Sequence, residues 1–170
     1  LKLGFEVNLI TAPIVDLTSL APVIVLSVFA MGVLVIDLFI GKDKTLLVYI
    51  SIIGLIMTAV SSFAKGSLPS YSFQESYVVD NFSIFFIFIF TISSALAIML
   101  SENYNRQENI KIGEYYSLIL FCTVGMIILA SSTDLIMIFL GIEIVSICLY
   151  ILAGIRRDNT RSNEAALKYF

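Results

Sequence analysis

Glu143 interrupts a long apolar run, and Ser146 and Tyr150 follow it at i+3 and i+7. On a helix these three share one face and draw a polar stripe along an otherwise apolar cylinder. Glu143 lies nine residues after Asp134 and eleven before Gly154, which is about 13 Å from the nearer end of such a helix. A carboxylate at that depth in lipid costs on the order of 3 kcal/mol or more. It needs a partner cation, a water-filled cavity or a proton. Two readings follow. Glu143 is a proton-transfer group whose charge is set by burial against a nearby cation, or it is a helix-packing carboxylate that stays protonated. Lys168 is the candidate cation. It stands six residues past Ser162, the expected cap of a further helix, and so about 9 Å along it. An antiparallel packing of the two helices would bring Lys168 toward Glu143, and a pair that alternates between joined and separated states shifts both protonation equilibria. The other reading has Lys168 snorkel to the interface.

The residues that are missing exclude other chemistry. The chain has no His, so bis-His haem, His-ligated copper and a His base are out. Cys122 and Cys148 are the two cysteines; they cannot supply an iron–sulfur cluster or a Cys-rich zinc site and read as small buried hydrophobes. No catalytic, metal-ligating or cofactor-binding residue is assigned. Ten Lys and Arg with no basic block give no support for nucleic-acid binding.

The elements that position Glu143 follow from composition. Of 170 residues, 59% are hydrophobic and 14% charged, with a net charge of −3, and the mean hydropathy is +0.99. Soluble domains average about 45–50% apolar and about 25% charged. A soluble core of this size could not hide so much apolar surface, and disorder fails on the same ground. Five charge-poor stretches, at about 17–40, 45–64, 81–101, 115–133 and 134–155, each approach the roughly 20 residues that cross a bilayer as helix. The reading is an all-α membrane protein: a polytopic transmembrane helix bundle of five complete spans plus the start of a sixth at about 163. It forms a single membrane domain over 1–170, expected to be the N-terminal fragment of a longer chain. The first stretch is too long for a signal peptide.

Lys42, Lys44, Arg106, Lys111, Arg156, Arg157 and Arg161 fall on one side of these spans, against Lys2 and Lys65 on the other. The bias puts the N-terminus outside. The loop carrying Pro69 and then Tyr71-Ser72-Phe73-Gln74 has the alternation of a short strand or hairpin. Asp37, four residues before Gly41, is expected at the interface, paired with Lys42 or Lys44. Asp134 is expected to cap the fifth span. Phe82, Phe85, Phe86, Phe88 and Phe90 form lipid-facing or packing surface, and Arg156, Arg157 and Arg161 anchor the topology, or contact a subunit or lipid headgroups.

The segment from Asp134 through Gly-Ile-Glu143, Ser146, Tyr150 and Gly154, then Arg156-Arg157-Asp158 and Arg161-Ser-Asn-Glu-Ala-Ala-Leu-Lys168-Tyr169, closely resembles the subunit N family of proton-pumping NADH:quinone oxidoreductase (respiratory complex I). Val-Ile-Asp37-Leu-Phe and Val78-Val79-Asp80-Asn81-Phe82 are similar to that family as well. These are antiporter-like subunits, related to Mrp-type cation/proton antiporters, with about fourteen helices on two inverted repeats. The resemblance implies that Glu143 is the family's intramembrane Glu and Lys168 its buried Lys early in the next helix, with Ser146 and Tyr150 as a supporting polar face. The family's later channel lysines would lie past Phe170.

Function is expected accordingly. The chain would be a non-redox membrane subunit of a translocase, taking part in redox-driven proton translocation through a mid-membrane Glu/Lys pair. Flavin, iron–sulfur clusters and quinone would belong to partner subunits. Its neighbours would be other complex I membrane subunits, antiporter-like ones included, and lipid. A bacterial plasma membrane is the expected location, with a mitochondrial inner membrane or thylakoid as the alternative. The rivals are an Mrp-type antiporter subunit, or a structural membrane subunit of a ferredoxin-dependent or hydrogenase complex.

Overall fold

The structure, a computed structural model, describes residues 16–41, 44–63, 70–107 and 112–170, without the Arg106 side chain. Lys2, Lys42, Lys65, Pro69 and Lys111, which enter the charge comparison or the hairpin expectation, lie outside the described residues. The elements in chain order are α1 (Ala21–Phe39), α2 (Thr45–Phe63), β1 (Ser70–Ser72), β2 (Tyr77–Val79), α3 (Asn81–Gln107), α4 (Glu114–Ser131), α5 (Leu135–Ala153) and α6 (Thr160–Tyr169). α1 to α5 are each long and apolar enough to cross a membrane. The 19 residues of α5 extend about 28 Å, close to the hydrocarbon thickness of about 30 Å.

Local chemistry sets several boundaries away from the hydropathy limits. Residues 17–20 form a turn, and α1 starts only where Pro22 occupies its first turn, a position that needs no N–H donor. α3 continues past 101 to Gln107, because a backbone ladder does not end where apolarity does. α6 begins at Thr160, capped by Asn159, whose side chain accepts from Arg161 N. Ser162, the expected cap, instead donates from Oγ to Ala153 O at 2.7 Å and ties α6 to the end of α5.

α4 is the centre of the bundle and packs against α1, α2, α3 and α5. Leu26 and Val33 of α1, Leu47 and Leu55 of α2, and Leu120 and Ile127 of α4 are buried together. Several small polar side chains inside the bundle are hydrogen-bonded, as a dry interior favours. Ser117 Oγ donates to Ala30 O at 2.9 Å. Ser94 and Thr123 hydroxyls join α3 to α4 at 2.6 Å. Ser51 and Thr58 bond back to the carbonyls four residues earlier, each at 2.8 Å. Between α4 and α5 the backbones meet at two glycines. A Cβ on Gly125 would lie 3.1 Å from Gly141 O, and one on Gly141 would lie 3.3 Å from Gly125 O; small residues permit such an approach in lipid.

The hairpin expected near 71–74 forms as an antiparallel pair with Ser70 opposite Val79 and Ser72 opposite Tyr77. Phe73 and Gln74 belong to its turn rather than its strands. Phe73, Gln74 and Glu75 all have positive φ, at 53°, 55° and 71°, a conformation non-glycine residues adopt only under outside support. Thr133 supplies it: its N donates to Ser76 O at 3.1 Å, and its hydroxyl donates to Glu75 O. Ser72 Oγ meets Ser19 Oγ at 2.7 Å on the other flank. The hairpin thus joins the starts of α1 and α3 to the α4–α5 connection. Tyr77 is buried beneath it. Burial pushes the Tyr77 phenol above its ordinary range, and the Ser131 hydroxyl beside it opposes part of that rise.

Candidate functional site on the fifth span

α5 presents two unlike faces. Gly141 and Cys148 are buried, and Gly141 lies against α4. Ile136, Phe139, Leu140, Ile142, Ile147 and Ile151 are exposed. Glu143 belongs to the second face and is itself exposed. It stands eight residues after Leu135 and ten before Ala153, so its backbone lies about 12 Å and about 15 Å from the helix ends. Ser146 and Tyr150 are half-buried at i+3 and i+7 on the same side. The expected polar stripe is therefore carried on one helix, amid residues suited to lipid.

Asp134 occupies the N-cap position in extended conformation, but its side chain accepts no capping hydrogen bond. Its contribution is a negative charge at a helix N-terminus, not the bonded cap expected from sequence. Cys122 and Cys148 are free and buried, within α4 and α5 as apolar packing groups.

The structure does not bring Lys168 to Glu143. α6 meets only the last turn of α5, where the Tyr150 ring packs edge-on to Tyr169 at 5.2 Å and to Phe170 at 5.4 Å. Tyr150 is seven residues past Glu143, about 10 Å along the axis. Lys168 is directed outward, 80% exposed, 3.8 Å from Glu164 Oε2 in an i,i+4 pair. Among the described residues no ion pair involves Glu143. The physical reason is depth: at this end of α6, Lys168 reaches the level of the final turn of α5 and not that of its middle.

A second charged constellation lies at the end of the bundle away from the hairpin. Lys44 Nζ contacts Asp37 Oδ1 at 2.5 Å, with the side chains 17% and 14% exposed. It also donates to Ile40 O at 3.2 Å. Of the two lysines expected to pair with Asp37, Lys44 is the one among the described residues. Sequence reasoning missed the third member, Gly113, which precedes α4. The Asp37 carboxylate fills the space a Cβ on Gly113 would take, so it lies at the N-terminus of α4, where the helix dipole favours an anion. A glycine just before an acidic helix start was the available signal. Beside this pair opens a cavity of about 1170 Å³ between α4, α5 and α6, with Glu114, Tyr150, Arg156 and Arg157 on its walls.

Residues 132–170, which contain α5 and α6, match a family model described as NADH:quinone oxidoreductase/Mrp antiporter, TM. Over 157 residues the chain is 42% identical to NADH-quinone oxidoreductase subunit N of Trichlorobacter lovleyi, covering 92% of this chain and 32% of that protein. It is 41% identical to subunit N 2 of Chloroherpeton thalassium, over 89% of this chain and 31% of the relative. With subunit N of Chloroflexus aggregans the identity is 40%, over 94% and 33%. The chain spans about a third of the length of these relatives. A five-span helix bundle whose fifth span carries an acid at its middle, with this likeness along nearly its whole length, belongs to the NADH-quinone oxidoreductase subunit N family of antiporter-like membrane proteins.

Proposed function

We propose that this chain is part of a membrane subunit of a proton-translocating NADH:quinone oxidoreductase and that Glu143 is a proton-carrying group within it. The observation that carries the reading is the position of Glu143, exposed at mid-span on the most apolar of the five spans. Lipid does not accept a bare carboxylate there. Water, a cation from another protein segment, or a bound proton must therefore meet it, and a carboxylate that exchanges among these changes charge in the middle of the membrane. Ser146 and Tyr150 follow Glu143 on one side of α5, toward the Arg156–Arg157 end. Lys168 acts in this scheme only after α6 moves relative to α5, since here it pairs with Glu164. Redox chemistry, with flavin, iron–sulfur clusters and quinone, belongs to partner subunits; this chain supplies the charge. The Lys and Arg bias supports a cytoplasmic Arg156–Arg157 end, and the membrane in this reading is a bacterial plasma membrane.

The test is Glu143→Ala in the assembled complex, with NADH oxidation and proton translocation measured in sealed vesicles. Proton transfer coupled to turnover should fall about 100-fold, the lower range for a positioned proton carrier, with subunit content unchanged. Undiminished pumping sinks the proposal. The matched family model covers Mrp antiporters too, so a second reading is a cation/proton antiporter subunit. Purification without redox subunits, with ion exchange retained, would favour it.

A further inference from the structure

The Glu143 side of α5 continues past Tyr150 into the cavity at the Arg156–Arg157 end. Tyr150 and Gly154, seven and eleven residues after Glu143, lie within about 20° of it around the helix, and both border that cavity. Glu114, Arg157 and Asp158 border it too and are exposed. Exposed charges at helix ends draw water, and the volume of about 1170 Å³ is many times the roughly 30 Å³ that one water takes. On α5 the cavity wall begins at Tyr150, and no residue of α5 nearer to Glu143 belongs to it. Tyr150 is therefore where the cavity and the Glu143 stripe meet. Its ring is closed in by Tyr169 at 5.2 Å and Phe170 at 5.4 Å, both edge-on. A helical side chain leans toward the N-terminus of its own helix, here toward Ser146 and Glu143. The base of α6 is fixed to α5, because Ser162 Oγ donates to Ala153 O at 2.7 Å and a Cβ on Gly154 would lie 2.9 Å from Ala166 Cβ. No residue of α6 is buried, so its far end can swing away without unpacking a core.

We infer that Tyr150, packed against Tyr169 and Phe170, is a gate between the water of this cavity and Glu143, and that it opens when the end of α6 swings away from α5. The inference rests on the reading of Glu143 as a proton carrier. A carboxylate that passes protons across a membrane without leak needs a water path that is interrupted between transfers. Three aromatic rings packed edge to edge exclude water. Tyrosine suits the barrier better than phenylalanine, because its ring is apolar while its hydroxyl gives water a partner once the path is open.

The experiment uses the full-length subunit in its assembled complex, in sealed membrane vesicles, with Cys122→Ala and Cys148→Ala as background. Single cysteines replace Ile155, in the cavity wall, or Glu143, and a charged, membrane-impermeant methanethiosulfonate is added from either side. Mass spectrometry follows the modification of each peptide. From the Arg156–Arg157 side, Ile155→Cys should react at least tenfold faster than Glu143→Cys. Adding Tyr150→Ala should speed Glu143→Cys at least tenfold from that side alone, whereas Tyr150→Phe, which keeps the ring, should leave it slow. Tyr169→Ala with Phe170→Ala, which keeps Tyr150 and removes its two neighbours, should speed it at least threefold. An unreactive Ile155→Cys would mean that no water enters the cavity. A fast Glu143→Cys with Tyr150 intact would mean that nothing closes the path, and acceleration by Tyr150→Ala equal from both sides would mean loosened packing; each of these overturns the inference. If Tyr150→Ala does not assemble, the Tyr169→Ala and Phe170→Ala pair and the contrast between positions 155 and 143 decide. Pumping retained in Glu143→Ala, with the step in reactivity intact, removes the proton role and leaves the barrier. A lost step with pumping still dependent on Glu143 removes the gate alone.

Discussion

α4 and α5 lie side by side and are nearly equal in length, at 18 and 19 residues, yet half of α4's membrane-crossing length is buried and only 11% of α5's. The more buried helix is the less apolar of the two. In water the order would be reversed. Lipid tails are as apolar as leucine, so nothing pushes greasy side chains inward; close packing and hydrogen bonds between helices decide which face turns in. α4 has those features in Ser117, bonded to Ala30 O, and Thr123, bonded to Ser94. α5 contributes Gly141 to the shared seam and leaves Ile136, Leu140, Ile142, Ile147 and Ile151 outside. Glu143 lies on that outer side and is the exception to its chemistry. The lesson is that α4 holds the bundle together, while α5 sets an ionisable side chain on the bundle's outer face.

The comparison breaks most readily at the Asp37–Lys44 pair, which fastens α1 and α2 over the start of α4. Lys44→Met leaves Asp37 mostly buried without its cation and should lower unfolding stability by about 3 kcal/mol. Thermal unfolding in detergent measures this, and Asp37→Asn added to Lys44→Gln should recover most of the loss. A Lys44→Met protein as stable as its parent would deny the pair any part in holding α4. The seam comes next. Gly141→Leu drives a side chain into Leu129 and the Gly125 carbonyl and should cost about 2 kcal/mol by overpacking. Ile142→Ala, one residue away on the exposed face, should cost far less in the same assay. Thr123→Val keeps the shape and removes the bond to Ser94; a loss of about 1 kcal/mol is expected, within the range of interhelical hydrogen bonds in membranes. With Ser94→Ala already present, the same change should cost less. Glu143→Gln should have the smallest effect, within about 0.5 kcal/mol, since the side chain is exposed and has no ion-pair partner among the described residues. Stability unchanged together with pumping lost would sharpen the division between α4 and α5. A large loss of stability would make Glu143 a packing residue after all.

Much of this architecture is visible in the chain before any coordinates. Charge-poor stretches near 20 residues locate α1 to α5 because lipid tolerates little else. The pairing of Asp37 with a lysine just past the α1–α2 turn follows from proximity in sequence. The turn of the hairpin was less legible: Phe73, Gln74 and Glu75 are not residues that announce positive φ, and the support comes from Thr133, far along the chain. The α6 boundary was misplaced because Asn159 and Ser162 are both capable caps, and only the position of Ala153 O shows that Ser162 is otherwise engaged.

Composition and periodicity determined by themselves that this is a membrane helix bundle and that Glu143, Ser146 and Tyr150 share a helix face, since hydropathy and the 3.6-residue repeat are local properties. Which way that face turns is not local. Only the tertiary structure decided that α4 takes the opposite side of α5, that Lys168 stops at the level of Tyr150 with Glu164 as its partner, and that Asp37 lies against Gly113. Each of these depends on where one helix lies along another, which is set by packing between segments distant in sequence.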